Sequence, residues 1–504
     1  MNETANFKVL VANRGEIALR VLRSCRELGM PSVAVYSEAD EQALHSRYAD
    51  EAVCIGPADA ASSYLNMDAV LTAAKKTGAR AIHPGYGFLS ENSEFARAVE
   101  DAGMIFIGPR PETVALTGDK LAARRIAREA GLPVLPGPDQ PLDHGPIEPQ
   151  MASQVVFPVL IKAVAGGGGR GIRLANNPTE LESMIAAARM EAQAAFGNDA
   201  VYLEPLVQGA RHIEVQILGD GAGNVVCLGE RECSIQRRRQ KLIEEAPAPR
   251  LPENLRLAFH ENALKMVRRL NYRGLGTVEF LLDKNGEFYF IEVNPRVQVE
   301  HPVTEMVTGV DLVREQLLLA ASGKMTLSSS GLMIRGSAIE ARVLAEDASQ
   351  SFLPATGEVS HLLLPAGQGV RVDSSLYLGM PVTADYDSLL AKVIVWDENR
   401  SRAVTRMKRA LSEFQIGGVP TDLEFLQQIV DSSSFKSGRT DTTYLDHFTP
   451  PHNVENEFIE QDVAMAVAIL ASQEGRNQTQ SADHPGSMNY WKYAAWREQM
   501  GNPT

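Results

Sequence analysis

The sequence is poor in cysteine and tryptophan, and it has no long hydrophobic run. Only 4 of its 504 residues are cysteine and 3 are tryptophan. The cysteines lack metal-site spacing, so we interpret them as reduced thiols. No apolar run approaches the roughly 20 residues that cross a bilayer. The first strand-like run begins at Phe7, so we expect no cleaved leader. We therefore expect a cytoplasmic protein without a membrane partner.

Positive charge is also in deficit. Lysine and arginine number 49 against 63 aspartates and glutamates, which gives a formal net charge of −14. Such a balance disfavours nucleic acid as a partner, and it means that any anion site must be built locally. The length is enough for three or four packed units.

The residue patterns predict an α/β region followed by α+β regions. Buried-strand and helix patterns alternate over the first third, which predicts a doubly wound, mostly parallel sheet. From Arg211 the hairpin signals predict antiparallel pairing. The predicted units are a parallel domain at 1–117, a connecting helix at 118–132, a second unit at 133–207, an antiparallel core at 208–334, a mixed domain at 335–446 and a helical tail at 447–504.

A glycine-rich loop between two strands is the first candidate for chemistry. It runs from Ala165 to Gly171 and follows a strand that carries Lys162. Glycine lets backbone N–H groups approach phosphate oxygens closely, and the lysine adds positive charge. The loop leads into a strand, so it is neither a Walker A loop nor a dinucleotide fingerprint. We favour a phosphate lid over the alternative of a flexible surface turn.

The strongest candidate is the segment from Ile291 to His301. If it is extended throughout, its polar side chains share one face because strand side chains alternate; they are Glu292, Asn294, Arg296, Gln298 and Glu300. A hairpin turn centred on Lys284 and Asn285 would place Glu279 opposite Phe290 and one diagonal step from Glu292. Two carboxylates and an amide oxygen suit Mg²⁺ or Mn²⁺, and the arginine beyond them suits a small planar anion. The alternative is a surface strand with alternating charges.

A third cluster, from Gln236 to Glu245, places four cations within five residues. Charge runs are usually solvated surfaces. Because this one lies between apolar strands of an acidic protein, an anion-binding role and a solvated face are equally favoured.

Taken together, these residues resemble the biotin carboxylase family of the ATP-grasp superfamily. The resemblance covers about residues 7 to 446, and its long motifs occur in the family's order. The matching stretches are Ala12–Arg20, His83–Asn92, the glycine loop, Gln236–Pro249 and Glu292–Glu305. It implies an N-terminal doubly wound domain, an ATP-grasp lid and core, and a mixed C-terminal domain.

The resemblance also implies site residues. ATP would be held by Lys120, Lys162, Gly168, Gly169, Glu204, Val207 and His212, with Gln298 near the site and Arg239 at a position that is often histidine in the family. Two Mg²⁺ or Mn²⁺ ions would be held by Glu279, Glu292 and Asn294. Bicarbonate would be held by Lys241, Arg296 and Val299, with Glu300 as the base. Arg342 would stabilise the biotin enolate.

None of the motifs supplies a lysine that could carry biotin. The only Met-Lys pair, Met407-Lys408, lies in an arginine-rich helical segment and not in a biotinyl hairpin. We therefore expect biotin on a separate carrier protein, a separate carboxyltransferase, and a homodimer by resemblance. The final acceptor stays open between acetyl-CoA, propionyl-CoA, another acyl-CoA and pyruvate. A different ATP-grasp carboxylate ligase and an inert scaffold are the alternative functions.

The aromatic residues near the C-terminus, including Trp491 and Trp496, suggest a docking tail. A tail that packs on its own domain is an equally good interpretation.

Overall fold

Alternating strands and helices open the chain, as the sequence predicts. In this computed structural model the described residues are 6–145, 155–165, 171–328 and 332–449. The first elements are β1 (Val9–Val11), α1 (Gly15–Glu27), β2 (Ser32–Tyr36), α2 (Leu44–Tyr48), β3 (Glu51–Cys54), α3 (Met67–Thr77), β4 (Ala81–His83), α4 (Ser93–Asp101), β5 (Ile105–Phe106), α5 (Pro111–Gly118) and α6 (Lys120–Glu129). The strands pair in parallel in the order β3-β2-β1-β4-β5, so the predicted doubly wound sheet is confirmed.

Helix α1 illustrates why these residues fold as they do. Its apolar residues recur at helical spacing, and Ile17, Val21 and Leu22 are all buried against the sheet. The helix ends just before Gly29, whose φ of +66° suits glycine.

The second unit holds a small antiparallel sheet and one long helix. Its elements are β6 (Val159–Ala163), β7 (Ile172–Ala175), α7 (Pro178–Phe196) and β8 (Val201–Pro205), with strand order β7-β6-β8. The Asn177 side chain accepts hydrogen bonds from the first free N–H groups of α7. The predicted lid glycines Gly168 and Gly169 lie outside the described residues.

An antiparallel sheet then joins the central and C-terminal regions. The elements are β9 (Arg211–Asp220), β10 (Val225–Arg237), β11 (Gln240–Ala246), α8 (Glu253–Arg269), β12 (Arg273–Leu282), β13 (Phe288–Asn294), α9 (His301–Thr308), α10 (Leu312–Ser322), β14 (Ser337–Leu344), β15 (Glu346–Asp347), β16 (Leu353–Pro354), β17 (Gly357–Glu358), β18 (His361–Leu363), β19 (Val370–Ser374), β20 (Pro381–Val382), β21 (Leu389–Asp397), α11 (Arg400–Glu413), β22 (Gln415–Gly417), α12 (Leu423–Asp431) and α13 (Ser433–Lys436). Within the described ranges the sheet order is β13-β12-β9-β10-β11-β14-β21-β19. Because the sheet is continuous, it carries side chains of both regions on one surface.

The remaining boundaries add little to the site. The chain divides after Phe448, and residues Thr449–Thr504 form a separate unit. The predicted tail beyond residue 449 lies outside the described residues. None of the described helices is both long and apolar enough to cross a membrane.

Candidate active site

Charged side chains face one another across the strands at one end of the large sheet. Glu292 on β13 lies opposite Glu279 on β12, which lies opposite Glu214 on β9. Glu214 lies opposite Arg231 on β10, and its Oε1 accepts a hydrogen bond from the Arg231 Nε at 2.5 Å. Both of these last side chains are fully buried. Adjacent strands therefore bring together residues that are far apart in the sequence.

The predicted register of the hairpin is wrong by a small shift. Glu279 pairs with Glu292 directly and not with Phe290, which pairs with Phe280. The connection is not a two-residue turn but a five-residue loop over 283–287, closed by the hydrogen bond from the Asp283 N–H to the Glu287 carbonyl. In addition, Ile291 is an extra residue on β13, that is, a β-bulge. The two carboxylates still share one face, as predicted, but directly opposite each other.

The prediction of an extended strand through His301 is also wrong. Strand β13 ends at Asn294, and α9 begins at His301. Pro295 has no N–H to continue the ladder, which explains the stop. The turn nonetheless keeps the polar residues together, because Arg296 donates to Gln298 Oε1 at 2.9 Å and to Asn294 Oδ1 at 3.2 Å. Arg296 also forms an ion pair with Glu91 of the N-terminal domain.

Lys241 lies at the centre of three carboxylates. Its Nζ is 2.6 Å from Glu214 Oε2, 2.9 Å from Glu279 Oε1 and 2.7 Å from Glu300 Oε1. Burial alone would lower the pKa of this ammonium group, but the three carboxylates raise it well above its usual range. Lys241 is therefore a fixed positive charge.

Glu300 is fully buried and accepts from two cations. Its second oxygen, Oε2, accepts from Arg342 Nη2 at 2.9 Å. Burial raises the pKa of Glu300, but Lys241, Arg342 and Arg231 outweigh it and hold the pKa well below its usual range. The group is thus a carboxylate at neutral pH, next to two cations that could hold an anion.

The loop before Glu300 is held from the C-terminal domain. Lys392 on β21 is fully buried, and its Nζ donates to the Val299 carbonyl at 2.9 Å. The same ammonium group lies 3.0 Å from Glu16 Oε1 on α1. The Lys392 side chain therefore connects the loop that carries Val299, a predicted bicarbonate residue, to helix α1 in the N-terminal domain and to strand β21 in the C-terminal domain.

The oxygen ligands predicted for a metal are present together. Glu279 is buried, and its Oε1 accepts from Asn294 Nδ2 at 2.9 Å and from Gln298 Nε2 at 3.3 Å. Its Oε2 lies 2.9 Å from His212 Nε2. Burial raises the pKa of Glu279, while Lys241 and His212 lower it well below its usual range, so the group is ionised. Two facing carboxylates beside an amide oxygen fit a hard divalent cation.

The other nucleotide candidates lie in two places. Lys162 on β6 and Glu204 on β8 are buried and paired, and Glu204 also lies 3.2 Å from Arg124. Lys120, at the start of α6, reaches Glu292 Oε2 at 3.3 Å. The backbone N–H of Lys120 donates to the Val164 carbonyl just after β6 at 3.1 Å, so Lys120 lies between β6 and the metal candidates.

Two predicted residues are not joined to the polar contacts of the other candidates. Val207 follows β8 and is half-buried. Arg239 is exposed at the β10–β11 turn with a φ of +66°. The Val207 side chain has no polar atom. Among the described residues, no hydrogen bond or ion pair joins the Arg239 guanidinium group to the other candidates.

Sequence reasoning missed Glu214, Arg231, Glu91, Glu244 and Lys392. Glu214 could have been found, because it lies two residues after His212 and so on the same strand face. The others depend on strand order and on contacts between domains, which local patterns do not contain.

Comparison with known proteins agrees with this geometry. Residues 6–114 match the biotin carboxylase N-terminal domain, residues 119–328 the ATP-binding domain of the carbamoyl-phosphate synthase L chain, and residues 340–447 the biotin carboxylase C-terminal domain. Biotin carboxylase from Nostoc sp. is 50% identical over 438 residues, which is 87% of this chain and 98% of that protein.

Solved structures give the same result. A biotin carboxylase–βγ-ATP complex from Campylobacter jejuni superposes with a TM-score of 0.85 at 45% identity, covering 88% of this chain and 99% of that one. The biotin carboxylase domain dimer of a Hydrogenobacter thermophilus 2-oxoglutarate carboxylase, with MgADP, ADP and bicarbonate, has a TM-score of 0.84 at 44% identity, covering 87% and 97%. The chain therefore belongs to the biotin carboxylase family of ATP-dependent ligases with an ATP-grasp fold.

Proposed function

We propose that this chain carboxylates biotin on a separate carrier protein, using MgATP and bicarbonate, as the first half-reaction of an acyl-CoA carboxylase. The observation that carries the proposal is the buried carboxylate of Glu300 held between Lys241 and Arg342 at 2.7 Å and 2.9 Å. This arrangement offers an anion two cations and a proton acceptor at one point.

The nucleotide lies between the lid strands and the start of α6. Lys120, Lys162, Glu204, Val207 and His212 bind it, with Gln298 beside the phosphates. We assign phosphate contacts to Gly168 and Gly169, which lie outside the described residues, and a weaker contact to Arg239. The related structures that contain βγ-ATP or MgADP support this assignment.

Glu279, Glu292 and Asn294 hold two Mg²⁺ or Mn²⁺ ions. Their oxygen donors fit such ions, and Glu279 is already ionised. Bound divalent ions neutralise phosphate charge and orient the phosphates for in-line transfer. The residues themselves need only keep their oxygens directed at one point.

Bicarbonate binds between Lys241, Arg296 and the Val299 main chain. Glu300 then takes the bicarbonate proton, and the resulting oxygen attacks the γ-phosphate to give carboxyphosphate and ADP. The low pKa of Glu300 makes it a weak base in isolation. A second anion brought beside it raises its pKa, because like charges disfavour ionisation. Substrate binding itself thus improves the base.

Arg342 serves the second step. Carboxyphosphate breaks down to CO₂ and phosphate, the phosphate takes the N1 proton of biotin, and Arg342 stabilises the negative oxygen of the enolate. The nitrogen then attacks CO₂. Arg342 remains a cation throughout, because Glu244 and Glu300 raise its pKa despite burial.

The partners are a biotin carboxyl carrier and a carboxyltransferase, and the chain is a homodimer. The dimer of the related 2-oxoglutarate carboxylase domain supports the homodimer. A second candidate is that the final acceptor is pyruvate, because the biotin carboxylase subunit of a pyruvate carboxylase is 44% identical to this chain with a TM-score of 0.74. Cytoplasmic location stays a prediction.

The test is ATP hydrolysis by the purified chain with bicarbonate, with and without free biotin. We expect bicarbonate-dependent hydrolysis and the formation of carboxybiotin. Glu300→Gln and Arg296→Ala should lower carboxybiotin formation at least 100-fold with an unchanged circular dichroism spectrum. Lys408→Ala, at an exposed pair with Asp431, is the matched control. Unchanged turnover in either active-site variant would contradict its proposed role. Carboxylation of acetyl-CoA or of pyruvate by the reconstituted complex then separates the two acceptor classes.

A further inference from the structure

A row of charged side chains lies behind Arg342 on one face of the large sheet. Glu244 on β11 lies directly opposite Glu340 on β14. Two residues further on, Arg342 lies opposite Lys392, which lies opposite Asp373 on β19. Glu244, Glu340 and Lys392 have no exposed surface. Nothing in the proposed chemistry uses the first two carboxyl groups.

Glu340 has no hydrogen-bond partner. Among the described groups, none lies within hydrogen-bonding distance of either of its oxygens. The cation that attracts it most strongly, Lys392, already donates to the Val299 carbonyl and pairs with Glu16. An ionised carboxylate that is buried without a partner is very costly. Burial raises the pKa of Glu340 well above its usual range, so the group is a neutral acid at neutral pH.

Glu244 differs because it has one strong partner. Its Oε1 accepts from Arg342 Nε at 2.6 Å, while Oε2 has no partner among the described residues. Burial raises the pKa of Glu244 and Arg342 lowers it, with a result of about 7. The other titratable groups that face Glu244 are the carboxylate of Glu300, the ammonium group of Lys241 and the neutral carboxyl group of Glu340.

Helix α9 covers the same surface. It contributes the apolar Val303 and Val307 and the buried His301. Burial lowers the pKa of His301 well below its usual range, so this histidine adds no charge. The pair of carboxyl groups therefore has Arg342 as its one hydrogen-bonded cation within the described part of the chain.

We propose that Glu244 is the positioning residue of Arg342, that it acts only as a carboxylate, and that Glu340, which lies opposite it without a hydrogen-bond partner among the described residues, takes no part in this contact. Arg342 is held between two carboxylates, Glu244 behind it and Glu300 beside it. Protonation of Glu244 removes one of the two carboxylates that fix the guanidinium group and leaves Glu300 as the stronger partner, so Arg342 is no longer held in the same position. The inference rests on the proposed role of Arg342 toward biotin.

The consequence is a pH dependence confined to one half of the reaction. Biotin carboxylation should rise with pH through about 7, where Glu244 ionises. Bicarbonate-dependent ATP hydrolysis without biotin does not use Arg342 in this way. Its rate should therefore lack this rise through pH 7, which we call the acid limb.

The experiment measures both activities of the full chain, with free biotin as the acceptor, between about pH 6 and pH 9. Glu244→Gln should abolish the acid limb, and it should lower kcat/KM for biotin at least tenfold more than it lowers ATP hydrolysis. Glu340→Gln replaces a neutral acid with a neutral amide, so its limb should stay within about 0.3 pH units of the wild type. Infrared spectra at pH 8 should lose a protonated-carboxyl band in Glu340→Gln.

Each outcome decides a different part. A limb that persists in Glu244→Gln overturns the role of Glu244, and a limb that moves a full pH unit lower in Glu340→Gln shows that Glu340 is ionised. If Glu244→Gln does not fold, the infrared titration of the Asp422→Asn variant decides, because burial raises the pKa of Asp422 to about 8 and its band would otherwise overlap. In that variant a carboxyl band must appear as pH falls through 7, and its absence overturns the role of Glu244. A wild-type chain without any biotin carboxylation refutes the proposed function instead.

Discussion

Lys241 Nζ lies 2.7 Å from Glu300 Oε1, and the same ammonium group bonds Glu214 and Glu279. One cation therefore balances a carboxylate of the metal candidates and the carboxylate of the proposed base. Its removal would leave three buried or nearly buried acids without a shared partner.

Lys241→Met should therefore lower bicarbonate-dependent ATP hydrolysis by about 100-fold. Loss of the ammonium group removes a cation of the proposed bicarbonate site and leaves the carboxylates of Glu214, Glu279 and Glu300 to repel the anion, so bicarbonate binds less well. Steady-state hydrolysis against bicarbonate concentration measures the change. Lys436→Met, at an exposed pair with Asp431, is the control and should keep wild-type kinetics. Equal activity of the two variants would refute the role of Lys241.

Glu292→Gln should weaken divalent cation binding at least tenfold. Glu292 faces Glu279 across two strands, so the amide removes half of the paired carboxylate charge. Binding of Mn²⁺ in the presence of ADP, followed by electron paramagnetic resonance, measures the affinity. Glu287→Gln, in the exposed loop of the same hairpin, should bind Mn²⁺ as the wild type does. Loss of affinity in both variants would mean that the hairpin acts through its fold and not through this ligand.

Lys392→Met should destabilise the protein. The substitution leaves Glu16 and Asp373 buried with one cation fewer, which costs about 3–5 kcal/mol and, in a unit of this size, lowers the melting temperature by about 3–5 °C. Scanning calorimetry measures the shift. Lys408→Met, whose pair with Asp431 is exposed, should stay within about 1 °C of the wild type. A Lys392→Met melting temperature equal to that of the wild type would show that the buried pair contributes nothing.

Acid should destabilise the fold below about pH 6.5. Burial lowers the pKa of His45 and of His83 from 6.5 to about 4. The unfolded chain binds these protons first, so stability is complete above pH 6.5 and is lost as pH falls toward 4, by about 3 kcal/mol for each histidine. Thermal melts between pH 7 and pH 5 measure the slope. His45→Gln should flatten it and the exposed His361→Gln should not; an unchanged slope in His45→Gln would exclude His45 as its source.

The sequence predicted the elements of the site better than their arrangement. The parallel sheet and the hairpin from Thr277 to Asn294 followed from periodicity and turn residues, and the structure confirms them. The glycine-rich loop stays a prediction, because its glycines 166–169 lie outside the described residues. The register failed because the hairpin loop has five residues in place of the predicted two-residue turn, and because a one-residue bulge at Ile291 leaves no mark in a local pattern. The extended reading beyond Asn294 failed because alternation was continued through a proline.

Contacts between strands explain the remaining gap. The pairing of Glu214 with Arg231, and of Glu244 with Glu340, depends on the order of strands in the sheet. Alternation fixes which face a residue takes, but not which strand lies beside it. Such partners become visible only when the whole sheet is assembled.

Lys392 has a consequence for protein engineering. Its ammonium group contacts α1 through Glu16 and the loop before α9 through Val299. In a chimera that takes its N-terminal segment from a distant relative, the buried ammonium group of Lys392 would lose its ion pair with Glu16 unless the donor also has an acid at that position. Recombination breakpoints between α1 and β21 should therefore be chosen so that the lysine and its acid come from one parent.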